Sequence, residues 1–420
     1  MKLHRFTLLI AALLITNAAV AQQAQVEPSA TVLQKHVTYL ASDELDGRRT
    51  GTKGANDAAR YIAAEFERLG VRPAPATDSW KINVMSARYL QTFPYIGRVE
   101  LGKNNVLSVR GEALRVGEDW MPLGISANRT LDLTGVVFAG YGITANELNH
   151  NDYKGTYSKT QVAVIQEGTP DGDNPHGKFT NAGQLRFKVA AAQSAGVGAL
   201  LIISGEDDLK NDSLARLHYD NAGLAGIPVA VISKQAAEKF ANAKEVKLTT
   251  DVVRVEVAAH NVVGVIEGSD PVLKNENIVI GAHYDHLGRG GEGSLAERPG
   301  EIHHGADDNA SGTAGVLELA RIFIAQRSKL KRTLVFIAFS GEEEGLLGSN
   351  YYVNHPLVPL DKTIAMINMD MIGRMKDGKL SIGGVGTAKE WRQVIGTGDT
   401  FALTLNEDGY GPSDHSSFYM

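Results

Sequence analysis

The stretch Phe336-Ile-Ala-Phe-Ser-Gly-Glu-Glu-Glu-Gly-Leu-Leu-Gly348 turns from a continuous apolar run into three consecutive carboxylates. The residues from Leu334 to Phe339 are apolar and rich in β-branched and aromatic side chains, which predicts a strand buried on both faces. The carboxylates then follow the C-terminal end of that strand, where ligands gather in open α/β sheets. Adjacent negative charges beside a core are costly unless cations compensate them. Because the run contains no lysine or arginine, metal ions are the first candidate.

The sequence around this strand predicts an α/β domain. Apolar β-branched runs alternate with helical spacings from residue 261 onwards, which is typical of a mostly parallel sheet covered by helices. Two earlier helices are predicted within residues 31–69, separated by the polar, glycine-bearing loop Asp43–Gly54 and ended by Gly70. In the alternating region the predicted strands are 261–266, 277–282, 333–339 and 363–369, and the predicted helices are 310–326 and 346–353.

Two other predicted strands end in groups that can bind metals. His283 and Asp285 stand two positions apart at the end of one strand, so both lie on one face and Asp285 could orient His283. Taken alone, a structural histidine explains this pair equally well. Asp370 follows another predicted buried strand, and a carboxylate in such apolar surroundings needs a partner.

A glycine-containing loop before the helix at 310–326 adds Asp307 and Asp308. By itself, this loop is explained by helix capping through Asp308 or Asn309. Considered together, however, three strand ends and one loop bring potential ligands to the same edge of the sheet. The set is His283, Glu342 with Glu343, Asp370, and either Asp307 or Asp308.

This ligand set predicts zinc, with manganese or cobalt as alternatives, because nitrogen and oxygen ligands are mixed and thiolates are absent. The excess of carboxylates suits two ions, since one carboxylate can bridge a pair about 3.5 to 4 Å apart. Cysteine is absent from all 420 residues, which excludes disulfides, a cysteine nucleophile and a lipobox anchor. The net charge of −6 gives no basic surface for nucleic acid.

The N-terminus predicts a secretory signal peptide over residues 1–21. Lys2 and Arg5 supply the positive start, Phe6 to Ile15 the apolar stretch, and Ala19-Val20-Ala21 the cleavage site. The alternative is an N-terminal core helix. The apolar stretch is too short for a permanent membrane span. We therefore expect a mature chain that begins near Gln22, has no integral membrane span and is secreted or periplasmic.

The middle of the chain predicts an inserted domain of strands and one helix. Tyr141-Gly-Ile and Asn151-Asp-Tyr-Lys-Gly155, with the order of elements, resemble the protease-associated domain that is inserted in several peptidase families. The expected organisation is a signal peptide at 1–21, a first segment of the peptidase domain at 22–123, the insertion at 124–255 and a second segment at 256–420.

The motifs of the last part resemble those of the M28 family of zinc peptidases, most of which are aminopeptidases. The resemblance rests on the order and spacing of His283-Tyr-Asp285, Gly305-Ala-Asp307-Asp308-Asn309-Ala-Ser-Gly312, Ser340-Gly-Glu342-Glu343-Glu-Gly-Leu-Leu-Gly-Ser349 and Met369-Asp370. Together with the insertion, it covers nearly all of the expected mature chain. It implies an α/β zinc exopeptidase fold and two zinc ions.

The resemblance also implies a role for each residue. His283 and Asp370 would bind one zinc ion, Glu343 would bind the other, and Asp307 would bridge both. Asp285 would support His283. Glu342 would be the general base that takes a proton from the water between the ions, and Glu344 would be a solvated acid in the first helical turn.

The chain departs from the family pattern in one respect. The resemblance implies a further histidine ligand for the second zinc ion, in a motif that follows Pro412-Ser-Asp414-His415-Ser-Ser-Phe-Tyr-Met420. That segment is the last of the sequence, so we expect the sequence to be incomplete there; substitution by His415 or another histidine is the alternative.

The expected activity is the removal of N-terminal residues from peptide substrates. Two alternatives remain at this point. One is a glutaminyl cyclase, which shares a zinc-bound α/β core, and the other is a catalytically inactive binding protein derived from the peptidase fold.

Overall fold

The computed structural model describes residues 26–74, 88–172, 174, 176–290, 300–396 and 401–420. The predicted signal peptide lies outside these residues. Within the described ranges, no helix has the length and apolar character needed to cross a membrane.

The helices and strands have the following bounds. The helices are α1 (Ala30–Leu40), α2 (Lys53–Leu69), α3 (Leu185–Ala195), α4 (Lys234–Glu238), α5 (Gly312–Ala325), α6 (Leu347–Asn354), α7 (Trp391–Ile395) and α8 (His415–Tyr419). The strands are β1 (Arg72–Pro73), β2 (Leu90–Leu101), β3 (Val106–Val109), β4 (Glu112–Leu114), β5 (Trp120–Pro122), β6 (Arg129–Leu133), β7 (Gly135–Phe138), β8 (Thr144–Ala145), β9 (His150–Asn151), β10 (Gln161–Gln166), β11 (Ala199–Ile203), β12 (Val229–Ile232), β13 (Val246–Thr250), β14 (Val252–Ile266), β15 (Asn277–His283), β16 (Thr333–Phe339), β17 (Thr363–Asn368), β18 (Lys379–Ile382) and β19 (Ala402–Leu405).

The central sheet has the order β1-β14-β16-β15-β17, and β2 also pairs with β14. Strand β15 is parallel to both β16 and β17, whereas β14 is antiparallel to β1, β2 and β16. The mostly parallel sheet that the sequence predicted is therefore a mixed sheet. The reason is that β14 enters the sheet as the end of a long ribbon with β2, and it is followed by a turn at 273–275 with no covering helix.

Helices cover both faces of this sheet. On one face, α1, α2 and α5 pack through an apolar cluster that contains Leu40, Phe66, Leu317 and Phe336. On the other face, α6 and α8 pack against Phe339 and its neighbours through Tyr352 and Phe418. All residues of β16 are buried, so the predicted strand buried on both faces is confirmed.

The two predicted N-terminal helices and the loop between them are confirmed. Thr52 caps the start of α2 by accepting a hydrogen bond from the backbone N–H of Ala55, and Gly70 ends the helix in the left-handed conformation. The loop between α1 and α2 contains a short 3-10 turn at Asp43–Arg48.

Strand β17 differs from its prediction as a buried strand. It pairs only with β15, at the edge of the described sheet, and its residues are half-buried or exposed. Ile364 and Ile367 are 53% and 42% exposed. The apolar composition of this segment predicted burial, but the strand's position at an edge, which composition does not encode, determines its exposure.

The middle of the chain forms two further sheets around a shared core. A five-stranded sheet has the order β5-β12-β11-β10-β7, and a four-stranded sheet has the order β4-β3-β13-β6. Trp120 is fully buried in the cluster between them, and α3 packs on the other side of the five-stranded sheet. The segment that the sequence assigned to an insertion at 124–255 shares these sheets with β3, β4 and β5, which begin before that boundary.

The side chain of Asn261 joins the central sheet to the turn that carries the three glutamates. It donates to the backbone oxygen of Gly348 (2.8 Å) and to Gln91 Oε1 (2.9 Å), and it accepts from the backbone N–H of Ser340 (3.2 Å). Asn261 is fully buried. The turn is therefore held at both of its ends by one amide.

Replacement of Asn261 by leucine is expected to lower the free energy of unfolding by roughly 2 to 3 kcal/mol, because buried backbone groups of Ser340 and Gly348 lose their partners. Chemical denaturation followed by circular dichroism measures this change. Asn275→Leu, at an exposed turn where the amide donates to the backbone oxygen of Val272, is the control and is expected to change the value by less than about 1 kcal/mol. Equal losses in both variants would contradict the role of Asn261.

Candidate metal and catalytic site

The potential ligands lie where three parallel strands end. His283 is the last residue of β15, Glu342 and Glu343 lie in the turn after β16, and Asp370 follows β17. Because β15 is parallel to both of its neighbours, all three strand ends reach the same edge of the sheet. This convergence was predicted from the sequence.

One group of potential ligands is formed by His283, Asp308 and Asp370, whose ligand atoms all lie within 4.8 Å of one another. His283 Nε2 lies 3.3 Å from Asp370 Oδ1 and 3.4 Å from Asp308 Oδ1. An imidazole and two carboxylates that face a common point form a donor set suited to zinc.

Asp285 lies behind His283. The Nδ1 atom of His283 is 3.3 Å from the backbone oxygen of Asp285 and 3.7 Å from its carboxylate. Asp285 is itself fully buried, and its carboxylate accepts from Thr50 Oγ1 (3.0 Å) and from the backbone N–H of Glu342 (3.3 Å). The arrangement orients the imidazole with Nε2 towards the other ligands.

The pKa values of this group reflect its buried charges. Burial lowers the pKa of His283, but the hydrogen bonds to Asp285 and Asp370 outweigh it and raise the pKa well above its usual value. For Asp370, burial acts to raise the pKa, but the contact with His283 prevails and lowers it. Ser413 also donates to Asp370 Oδ2 at 2.7 Å. The protonated imidazole of His283 thus supplies the positive charge that a metal cation would supply among these carboxylates.

Asp308, not Asp307, contributes the loop carboxylate, which corrects the bridging role given to Asp307. The carboxylate of Asp307 points away from the strand ends. It accepts hydrogen bonds from the backbone N–H of Gly373 (2.8 Å) and from Arg374 Nε (3.0 Å). The two aspartates are adjacent in a turn where Asp308 has non-helical backbone angles, and their side chains have different partners.

A second group of potential ligands is formed by His286, Asp308 and Glu343. His286 Nδ1 lies 2.6 Å from Glu343 Oε1. Asp308 belongs to both groups, and its pKa is raised by burial and by the nearby Glu343. His286 is not among the ligands predicted from the sequence, although it stands three residues after His283 in the motif His-Tyr-Asp-His.

Glu342 lies beside the first group and belongs to neither of the two. Its Oε2 atom is 3.8 Å from His283 Nε2. Burial, together with the negative charges of Asp414, Asp285 and Asp370, raises the pKa of Glu342 to about 9 against the opposing effect of His283. Glu342 therefore lies near the ligands but outside both groups.

Glu344 is not the solvated acid that the sequence predicted. Arg49 donates to Glu344 Oε1 at 3.1 Å through Nε, and the glutamate side chain is 13% exposed. The partner lies 295 residues away along the chain, so no local pattern could reveal it. Glu344 belongs to neither ligand group.

The C-terminal segment packs beneath the site. Asp414 is fully buried, and burial raises its pKa to about 7. His415 is half-buried and, within the described residues, belongs to neither ligand group. It does not replace the additional histidine that the family resemblance implies.

Comparison with known proteins identifies the class of this site. Residues 261–420 match the model of Peptidase family M28. This match confirms the predicted resemblance to the M28 family for residues 261–420, which contain both ligand groups and Glu342.

Two of the relatives among the curated proteins are aminopeptidases. The chain is 32% identical over 189 residues to Aminopeptidase YwaD of Bacillus subtilis, a match that covers 44% of this chain and 36% of the relative. It is 30% identical over 356 residues to an aminopeptidase of Pseudomonas aeruginosa, with 83% of this chain and 58% of the relative covered. The chain thus spans between about a third and three fifths of these relatives.

Solved structures share the fold. The aminopeptidase from Aneurinibacillus sp. strain AM-1 superposes with a TM-score of 0.52 at 22% identity, over 94% of this chain and 84% of that one. A zinc aminopeptidase from Bacillus subtilis gives 0.51 at 23% identity, over 94% and 83%. At these identities the likeness establishes the mixed α/β fold.

Proposed function

We propose that the protein is a zinc exopeptidase that removes N-terminal residues from peptides. The observation that carries the proposal is the pair of ligand groups sharing Asp308, with Glu342 beside them and outside both. The aminopeptidase names of its relatives support the substrate class. They do not favour the glutaminyl cyclase alternative.

The residues fit two zinc ions. His283 and Asp370 would hold one ion, His286 and Glu343 the other, and Asp308 would contact both. Each group then offers one imidazole and two carboxylates, which leaves room for water and substrate as in catalytic zinc sites. Bound zinc supplies Lewis-acid chemistry, because it polarises a carbonyl oxygen and lowers the pKa of water.

Glu342 is the proposed general base. In the absence of cations its pKa is about 9, so the carboxyl group is protonated at neutral pH. Positive charge beside it favours the carboxylate. Glu342 then accepts a proton from the attacking water and delivers it to the amine that leaves when the peptide bond breaks.

Asp285 and Ser413 orient two of the proposed ligands. Asp285 holds the ring of His283 in orientation, and Ser413 fixes the carboxylate of Asp370. Such hydrogen bonds keep ligands in a productive geometry before the substrate arrives.

The two sheets of the middle segment are the proposed protease-associated insertion. We propose that this segment restricts access to the site to short peptides. Unchanged turnover of both small and long peptides after its deletion from a protein that still folds would contradict this role. Export through the N-terminal segment at 1–21, to the periplasm or outside the cell, is part of the same proposal.

The function is tested by zinc analysis together with hydrolysis of aminoacyl p-nitroanilides. Two zinc ions per chain and release of p-nitroaniline from substrates with a free amine are expected. Bound zinc with no hydrolysis of any peptide with a free amine would contradict the peptidase function. Cyclisation of a peptide that begins with glutamine would instead establish the cyclase alternative.

A separate prediction concerns the zinc content that depends on the second ligand group. His286→Gln is expected to lower bound zinc from two ions to one per chain, because only two carboxylates remain around the second position. Elemental analysis after gel filtration measures this. His415→Gln, outside both groups, is the control and should retain two ions. Two ions in the His286→Gln variant would remove His286 from the ligand set.

A further inference from the structure

The loop between α1 and α2 contacts the site through three consecutive residues, Arg48, Arg49 and Thr50. We call residues 46–50 the buttress loop. Arg48 donates to backbone oxygens of the two loops that flank the first ligand group, Arg49 pairs with Glu344, and Thr50 donates to Asp285. The sequence predicted only a polar, glycine-bearing loop here.

Arg48 is the most buried of these side chains, with no exposed surface. Its Nε donates to the backbone oxygen of Tyr284 at 2.7 Å. Its Nη1 donates to the oxygens of His304 (2.7 Å) and Leu40, and its Nη2 donates to that of Gly305 (2.9 Å). One rigid, planar group therefore spans the end of β15, the loop before α5 and the last turn of α1.

The backbone of the buttress loop reinforces these contacts. The N–H of His286 donates to the oxygen of Arg48 (3.2 Å), and the N–H of Gly288 donates to the oxygen of Gly47 (3.0 Å). Gly47 has φ of +69°, and a Cβ there would lie 2.3 Å from the backbone oxygen of Gly288. The segment thus fits against residues 286–288 only because glycine precedes Arg48.

The loops that Arg48 joins carry different ligands of the same group. Tyr284 directly follows His283, and Gly305 lies three residues before Asp308. The Nε2 atom of His283 and the Oδ1 atom of Asp308 are 3.4 Å apart. The guanidinium of Arg48 donates to the backbone of both loops and so connects them directly.

The charge of Arg48 also suits its position. Burial lowers its pKa to about 10, while Asp285, Asp308 and Glu343 act to raise it. The group therefore remains a cation at neutral pH. Its attraction to these three carboxylates offsets part of the cost of placing their negative charges close together.

We propose that Arg48 is a positioning residue of the metal centre, which sets the separation of His283 and Asp308 by holding the backbone of the loops that carry them. This inference rests on the proposed zinc site. It assigns to the buttress loop a role in metal affinity, beyond its role in stability.

The test compares Arg48→Met and Arg48→Lys with Arg254→Met. Arg254 is a matched control, because its guanidinium also donates to backbone oxygens, those of Gly124 (2.9 Å) and Ser126, within the middle segment. Zinc dissociation constants are measured by competition with a chromophoric chelator, and melting temperatures are measured with and without zinc.

Arg48→Met is expected to weaken zinc binding 10- to 100-fold, which is the usual effect of losing a residue that supports metal ligands. Arg48→Lys, which keeps the charge and cannot span all the carbonyls, is expected to recover only part of the affinity. Arg254→Met is expected to lower the melting temperature of the apo protein and to leave the zinc dissociation constant unchanged.

Two results would overturn the inference. One is a zinc dissociation constant in both Arg48 variants within two-fold of the original protein, and the other is an equal weakening in Arg254→Met. If Arg48→Met does not fold, the lysine variant alone decides by the same criterion. A protein that binds two zinc ions and hydrolyses no peptide would contradict the proposed function and leave this inference intact.

Discussion

Replacement of Glu342 by glutamine is expected to lower kcat for aminoacyl p-nitroanilides by about 10²- to 10⁴-fold, the usual contribution of a general base. Zinc content should remain at two ions per chain, because Glu342 lies outside both ligand groups. The amide has nearly the shape of the carboxyl group but cannot accept the proton of the attacking water. Steady-state kinetics and elemental analysis of the same sample measure both quantities.

The control for this variant is Glu344→Gln, in the same run of glutamates. Glu344 pairs with Arg49, and the loss of a partly exposed ion pair is expected to change kcat less than ten-fold. Full activity in Glu342→Gln would refute the assignment of the base. An equal loss in both variants would indicate that the turn itself, and not one carboxylate, had been disturbed.

The second prediction with a large expected effect distinguishes the roles of the adjacent residues Asp307 and Asp308. Asp308→Asn is expected to weaken the binding of both zinc ions by at least about 100-fold, since loss of a ligand exceeds the effect of losing its support. Activity should fall with the zinc content. Asp307→Asn is expected to keep both ions, because that side chain bonds to Gly373 and Arg374 and not to the ligands.

Isothermal titration of the metal-free proteins with zinc measures this difference. Both variants replace an aspartate by an asparagine at neighbouring positions. Each therefore serves as the control for a general disturbance of the loop in the other. Loss of zinc in Asp307→Asn with retention in Asp308→Asn would restore the bridging role first given to Asp307.

Much of the site could be predicted because it depends on strand ends. Continuous apolar runs locate β15 and β16, and parallel pairing then brings His283 and the glutamates to one edge whatever the loops do. The choice between Asp307 and Asp308 could not be made in this way. It depends on one turn and on a partner, Arg374, that is 67 residues away.

The errors in the fold have a similar origin. The direction of β14 is set by its long pairing with β2, and the exposure of β17 by the lack of a second neighbour among the described strands. His286 was missed because a histidine in a loop has no periodicity to mark it. Its role becomes visible only when the turn after β16 places Glu343 beside it.

The sharing of Asp308 has a thermodynamic consequence. If one carboxylate serves two ions, the occupancies of the two positions are linked, and by reciprocity each ion must change the affinity for the other by the same factor. Zinc titrations would then not follow two independent isotherms. A chelator strong enough to remove the weaker ion would also change the affinity for the remaining one, so the two proposed positions would respond to zinc concentration as a coupled pair.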